Sequence, residues 1–177
     1  MSRAVFLDRD GVLNVKLPEN RYVRSWEEFT FRDGVVEALR MLRAKGYLLI
    51  VVTNQRGIGR GMMSEEDLAE VHRRMRSELA KEGVKLDAVL HCPHNIEENC
   101  SCRKPRPGML EEAIGLHGVD PARSFIVGDS ESDLAAGRAV GVAGILVADD
   151  GISAPVGCRR VATLLEAARL ITGAEKE

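Results

Sequence analysis

Residues 3–11, Arg-Ala-Val-Phe-Leu-Asp-Arg-Asp-Gly, decide the fold. The short apolar run that ends in Asp8 reads as a buried strand carrying a carboxylate at its C-terminal end. The same figure recurs along the chain. Tyr47–Val52 runs into Thr53-Asn54-Gln55, and Ser124–Val127 runs into Gly128-Asp129. Leu86–His91 and the stretch near Gly144–Val147 are further strand candidates.

Helical patterns lie between these strands. Val35, Val36, Leu39 and Leu42 follow Asp33-Gly34 at helical spacing, and Gly46 marks the stop. Ser64 with Asp67 resembles a capping box, after which Leu68, Val71, Met75 and Leu79 share one face. Pro107 opens another helix, Leu134, Ala135 and Ala139 belong to a third, and a last one is expected from about Val161 to Ile171. Strands alternating with helices predict an α/β fold, with a doubly wound, mostly parallel sheet covered on both faces. In such a sheet ligands bind at the C-terminal strand ends, where Asp8, Thr53 and Asp129 should converge. The terminal Glu175-Lys176-Glu177 is expected to fray.

Composition narrows the function classes. A net charge of −2 argues against a polybasic binder of nucleic acid or membrane, and seven aromatics among 177 residues are too few for a base-stacking platform. The longest apolar run, Tyr47–Val52, is far short of a membrane span, and Asp8, Arg9 and Asp10 interrupt any signal-peptide core. One domain over residues 1–177, in the cytoplasm, is the expectation.

Asp8 and Asp10 stand at i and i+2, so in extended geometry their side chains point the same way. Their repulsion calls for a cation between them. Asp129 and Asp133, four apart at a helix start, add further hard oxygen ligands, a set suited to Mg²⁺ and substrate phosphate. A carboxylate can also accept a phosphoryl group, with Thr53 and the N–H groups of Asn54 and Gln55 holding phosphate oxygens and Lys104 neutralising charge. Each residue alone has an ordinary reading as turn, cap, strand end or solvated charge. Four such features at matching strand ends favour phosphoryl transfer.

Asp8-x-Asp10-Gly11, Thr53, Lys104 and Gly128-Asp129-x-x-x-Asp133 resemble the four motifs of the haloacid dehalogenase-like phosphatases, over roughly residues 3–148. The resemblance implies a Rossmann-like sheet with Asp8 as nucleophile and Asp10 as general acid, then base. It also implies Mg²⁺ on Asp8, the Asp10 carbonyl and Asp129, supported by Asp133. The predicted core elements fill nearly the whole length, so a capless enzyme is expected, with loops at about 12–30, 55–63 and 92–106 selecting substrate.

Cys92, His94, Cys100 and Cys102 offer three thiolates and an imidazole, a closed tetrahedral set for structural Zn²⁺. The polar residues between them make a buried-cysteine reading poor. This loop, 92–102, leads into Arg103-Lys104. With its Cys-Pro-His and Cys-x-Cys-Arg-Lys-Pro patterns, the chain is similar to the D-glycero-D-manno-heptose 1,7-bisphosphate phosphatase group. The zinc-containing histidinol-phosphate phosphatase domain is the sister group. The heptose resemblance implies hydrolysis at C7, with Arg103 contacting substrate and Asn54, Gln55 and Arg60 lining or bordering the pocket. Five residues between His94 and Cys100 is closer to the histidinol-phosphate group, so that substrate and a broad set of hexose phosphates stand as alternatives. A zinc-stabilised phosphate-binding module is the non-enzyme alternative, against which the Asp8/Asp10 pair argues, since a binder needs no general acid. A monomer acting on a small phosphorylated sugar is expected. His72, His91, His117 and Cys158 are set aside, His72 and His117 as surface or capping residues. Tyr22 and Trp26 are read either as covering the site entrance or as core.

Overall fold

The computed structural model describes residues 1–173, so the expected fraying at Glu175–Glu177 lies outside the described residues. Six strands, β1 (Arg3–Leu7), β2 (Tyr47–Asn54), β3 (Ala88–Cys92), β4 (Phe125–Gly128), β5 (Ala143–Val147) and β6 (Arg159–Val161), form one sheet in the order 3-2-1-4-5-6. Every pairing is parallel.

Among the described residues, α1 (Val35–Ala44), the single turn α2 (Arg56–Gly59), α3 (Glu65–Lys81), α4 (Gly108–His117) and α5 (Glu131–Ala139) connect the strands, and α6 (Leu164–Thr172) follows the last of them. The Ser64–Asp67 capping box forms as the sequence predicts, with both reciprocal bonds present. The C-terminal stretch differs from expectation. Residues 159–161 are an edge strand, and the helix begins only at Leu164 behind the Thr163 cap. The segment Arg159-Arg160-Val161 carries too little apolar pattern to show as a strand; pairing with β5 makes it one.

Alternation along the central strands divides the core. Val5 and Leu7 of β1, with Leu49 and Val51 of β2, meet α1, α3 and α6 through Leu39, Met75 and Ala167. Ala4 and Phe6, with Ile50 and Val52, meet α4 and α5 through Leu110 and Ala136. Both faces are therefore apolar, which explains why the strands read as unbroken hydrophobic runs. The order also fixes the site. From β1 the chain winds outward to β2 and β3, then returns across to β4, so the C-terminal ends of β1 and β4 flank the crevice at the switch point.

Candidate active site

Asp8 follows β1 directly, and its N–H donates to the Val127 carbonyl of β4 at 3.0 Å. Asp129 follows β4, and Asp133 lies on the first turns of α5. Carboxylate oxygens of Asp8, Asp129 and Asp133 lie within 4.8 Å of one another, a spacing one cation can bridge. Two glycines make this approach possible. A methyl on Gly11, whose φ is +92°, would overlap Asp129 Oδ2, and one on Gly128 would overlap the Asp133 side chain.

Lys104 closes the cluster from the side of the loop 92–102. Its Nζ donates to Asp8 Oδ1 at 2.9 Å and to the Val52 carbonyl at 2.7 Å, and pairs with Asp133 Oδ1 at 2.6 Å. Burial lowers its proton affinity, but Asp133 and Asp8 outweigh that and hold it above the usual lysine range. Asp8 is pushed above the usual carboxylate range by burial first and then by Asp133, with Lys104 pulling the other way. A divalent cation on the same oxygens opposes both upward pushes and favours the ionised carboxylate.

Asp10 lines the same cavity as these residues, but its oxygens take partners of their own. Arg9 Nη2 donates to both of its oxygens at 3.0 and 3.2 Å, Asn14 Nδ2 to Oδ1 at 2.9 Å and Gln55 Nε2 to Oδ2 at 2.9 Å. Burial raises its pKa, but the Arg9 charge and the bonds from Asn14, Arg9 and Gln55 bring it below the ordinary value.

The other sequence candidates distribute unevenly. Thr53 is buried at the end of β2, where its Oγ1 accepts from Gln55 Nε2 at 2.9 Å. Gln55 does not face the pocket, and its N–H is already donated to the Cys92 carbonyl at 2.7 Å. Asn54 lines the pocket and also ties down Lys104 through two 3.1 Å bonds, one to its carbonyl and one from its N–H. Arg60 acts at one remove, donating to Asn20 Oδ1 at 2.9 Å and to the Tyr22 hydroxyl at 3.3 Å. Arg103 is half-buried beside Lys104, and its Nη1 has no partner.

A cavity of about 360 Å³ opens over the carboxylates. Residues 16–23 wall one side, bringing Lys16, Asn20, Arg21 and Tyr22 to it. Lys16 Nζ reaches Asp129 Oδ2 at 2.6 Å. Sequence reasoning flagged this loop but not Lys16, because a lone lysine in an irregular stretch carries no local signal. Tyr22 therefore borders the site. Trp26 instead stacks on Phe29 at 4.9 Å between ring centroids and packs against the core. His72 departs from expectation most. It is 8% exposed and meets Arg9, because a residue between Leu68 and Met75 on the inner face of α3 points inward.

Cys92, His94, Cys100 and Cys102 bring their donor atoms together, with Cys92 Sγ to Cys100 Sγ at 3.6 Å, Cys92 Sγ to His94 Nδ1 at 3.5 Å and His94 Nδ1 to Cys102 Sγ at 3.3 Å. Tetrahedral Zn–S and Zn–N bonds imply edges of roughly 3.5–3.8 Å, so the donor set fits zinc. His91 stands apart and pairs with Glu65 at 2.8 Å. His117 closes α4, and Cys158 is half-buried outside both clusters.

The chain is similar to known hydrolases of this fold. The HAD-hydrolase-like family matches residues 101–164. The chain is 46% identical over 144 residues to the D-glycero-beta-D-manno-heptose-1,7-bisphosphate 7-phosphatase of Pasteurella multocida, covering 78% of this chain and 77% of that one. It is 45% identical over 131 residues to the D-glycero-alpha-D-manno-heptose-1,7-bisphosphate 7-phosphatase of Mycobacterium tuberculosis, covering 73% and 68%. Its fold is similar to the crystal structure of D,D-heptose 1,7-bisphosphate phosphatase from B. bronchiseptica complexed with magnesium and phosphate. The TM-score is 0.89 at 32% identity, over 98% of this chain and 99% of that one.

Proposed function

The chain belongs to the heptose 1,7-bisphosphate 7-phosphatase family of haloacid dehalogenase-like phosphatases, and we propose on that premise that it removes the C7 phosphate of D-glycero-D-manno-heptose 1,7-bisphosphate. The observation that carries this reading is the seating of Asp8 against Lys104, Asp129 and Asp133, with Asp10 two residues away. Asp8 attacks phosphorus, and the bond to the C7 oxygen breaks as Asp10 gives that oxygen its proton. Asp10, now a carboxylate, takes a proton from the water that cleaves the aspartyl-phosphate. Phosphate leaves and Asp8 is restored. The three side chains donating to Asp10 favour the carboxylate of the second step and disfavour the acid of the first, so the negative charge of the bound phosphate must raise its proton affinity for that step.

Lys104 spreads the charge on the transferring group, and Thr53 with the Asn54 backbone borders its oxygens. Asp8, the Asp10 carbonyl and Asp129, with Asp133 in support, would hold magnesium, which would supply positive charge at those oxygens. Arg103 and the pocket loop take the distal part of the substrate, with Arg60 setting that loop through Asn20 and Tyr22. Cys92, His94, Cys100 and Cys102 would hold a structural zinc, which would fix the loop that carries Arg103 and Lys104. The whole chain is read as one capless domain, a monomer in a reducing cytoplasm that keeps its thiols free. No helix among the described residues is long and apolar enough to cross a membrane. The five-residue spacing from His94 to Cys100 is the one feature favouring histidinol phosphate, and the names of the relatives weigh the other way.

Hydrolysis is separated from mere phosphate binding by Asp8→Asn and Asp10→Asn. Each should lower turnover by about 10³-fold while far-ultraviolet circular dichroism is retained. Undiminished phosphate release by either variant refutes its role.

A further inference from the structure

We propose that Arg9 and His72 form a buried positioning pair that aims the Asp10 carboxyl at the leaving-group oxygen, with His72 serving as a neutral hydrogen-bond acceptor. The inference rests on Asp10 being the proton donor.

Arg9 is fully buried, an environment that arginine enters only when paired. Its polar contacts are two. Nη2 donates to both oxygens of Asp10, and Nη1 lies 3.1 Å from His72 Nε2, while Nε has no partner. A guanidinium has no acceptor, so Nη1 donates and His72 Nε2 must carry the lone pair. That places the imidazole proton on Nδ1 and keeps the ring neutral. Burial, the Arg9 charge and His91 agree with this, pushing the His72 pKa down to about 3.

The ring thus sets where the far end of the guanidinium sits. It reaches across from α3, sixty-three positions along the chain, while Phe29 faces the guanidinium at 5.9 Å. His91 of β3 stands at 6.1 Å between ring centroids. A core position needing only to be filled would not bury a cation beside an imidazole. Once the acceptor is lost, two of the three Arg9 nitrogens are orphaned. The ion pair with Asp10 remains, but the far end of the guanidinium is no longer fixed, and the angle at which Nη2 meets the two Asp10 oxygens shifts. Asn14 and Gln55 still bind Asp10, so the carboxyl stays in the site but its aim changes. Misplacement of a reacting group by a fraction of an ångström is costly to proton transfer.

The test compares a substrate whose alkoxide must be protonated with one whose leaving group needs no proton. His72→Leu removes the acceptor, and His72→Gln returns one near the Nε2 position. For His72→Leu, kcat/KM on heptose 1,7-bisphosphate should fall about tenfold or more, and on p-nitrophenyl phosphate less than about threefold. His72→Gln should recover most of the loss. Should the leucine variant not fold, His72→Asn, whose amide falls short of Arg9, is read by the same ratio. Equal losses on both substrates, following the melting temperature, would mean a purely structural histidine and overturn the proposal. Asp10→Asn run alongside keeps the two ideas apart. Wild-type hydrolysis of the heptose substrate by that variant refutes the proton-donor reading itself, whatever His72 does.

Discussion

Lys104 Nζ lies 2.9 Å from Asp8 Oδ1 although ninety-six positions separate them, and the same ammonium is 2.6 Å from Asp133. One buried cation thus holds together Asp8, at the end of β1, and Asp133, on the helix that follows β4. Removing one member of such a set leaves uncompensated charge in a low-dielectric site.

Lys104→Met is therefore expected to lose about 3–5 kcal/mol of stability as well as turnover. Urea denaturation at neutral pH measures the first. A variant as stable as the wild type would show that Asp8 and Asp133 do not depend on Lys104 for their burial.

The zinc loop makes a separate prediction. Metal analysis of the purified protein should find about one zinc per chain, and Cys100→Ser should lose it together with several degrees of melting temperature. Zinc-free protein with wild-type melting temperature would remove the structural role. Cys92 alone would not anchor the loop, since it is the only one of the four ligands that lies on a strand.

Stability should also fall in mild acid through His72. Its pKa in the folded chain, about 3, is below the ordinary histidine value, so the unfolded chain takes up the proton first as pH drops. The contribution is whole above pH ~6.5 and is lost progressively toward pH ~3. The part lost between pH 7 and pH 5 is about 2 kcal/mol. Arg9, His91, Asp10 and Arg76 are the charged or titratable groups that shape this shift. His72→Gln should flatten the slope relative to the wild type in urea titrations at those two pH values. Identical slopes would mean that the ring is protonated in the folded chain.

The sheet was legible because its strands are apolar on both faces and end in polar residues, as Leu7-Asp8 and Val127-Gly128-Asp129 do. The Cys92–Cys102 cluster was legible because few residue types supply such donors and their spacing is local, whereas Asp8 and Asp129, far apart in the chain, were legible only because each ends an apolar strand. β6 was not, because its strand state comes from pairing with β5 rather than from its own residues. The inward turn of His72 was available in the i, i+4 spacing from Leu68, but its partner Arg9 was not, because only the fold brings α3 over the residue after Asp8. Gln55 shows the same limit at the site. Its position beside Thr53 was evident, but its side chain is taken up by Asp10 and Thr53 through contacts that only the fold creates.

The account stands or falls on the substrate. The direct measurement is kcat/KM on D-glycero-D-manno-heptose 1,7-bisphosphate, histidinol phosphate and fructose 1,6-bisphosphate, with phosphorus-31 NMR of the heptose product. The prediction is a preference for the heptose of at least about tenfold, with the C1 phosphate retained and the C7 phosphate released. A preference for histidinol phosphate, or release of the C1 phosphate first, would contradict it.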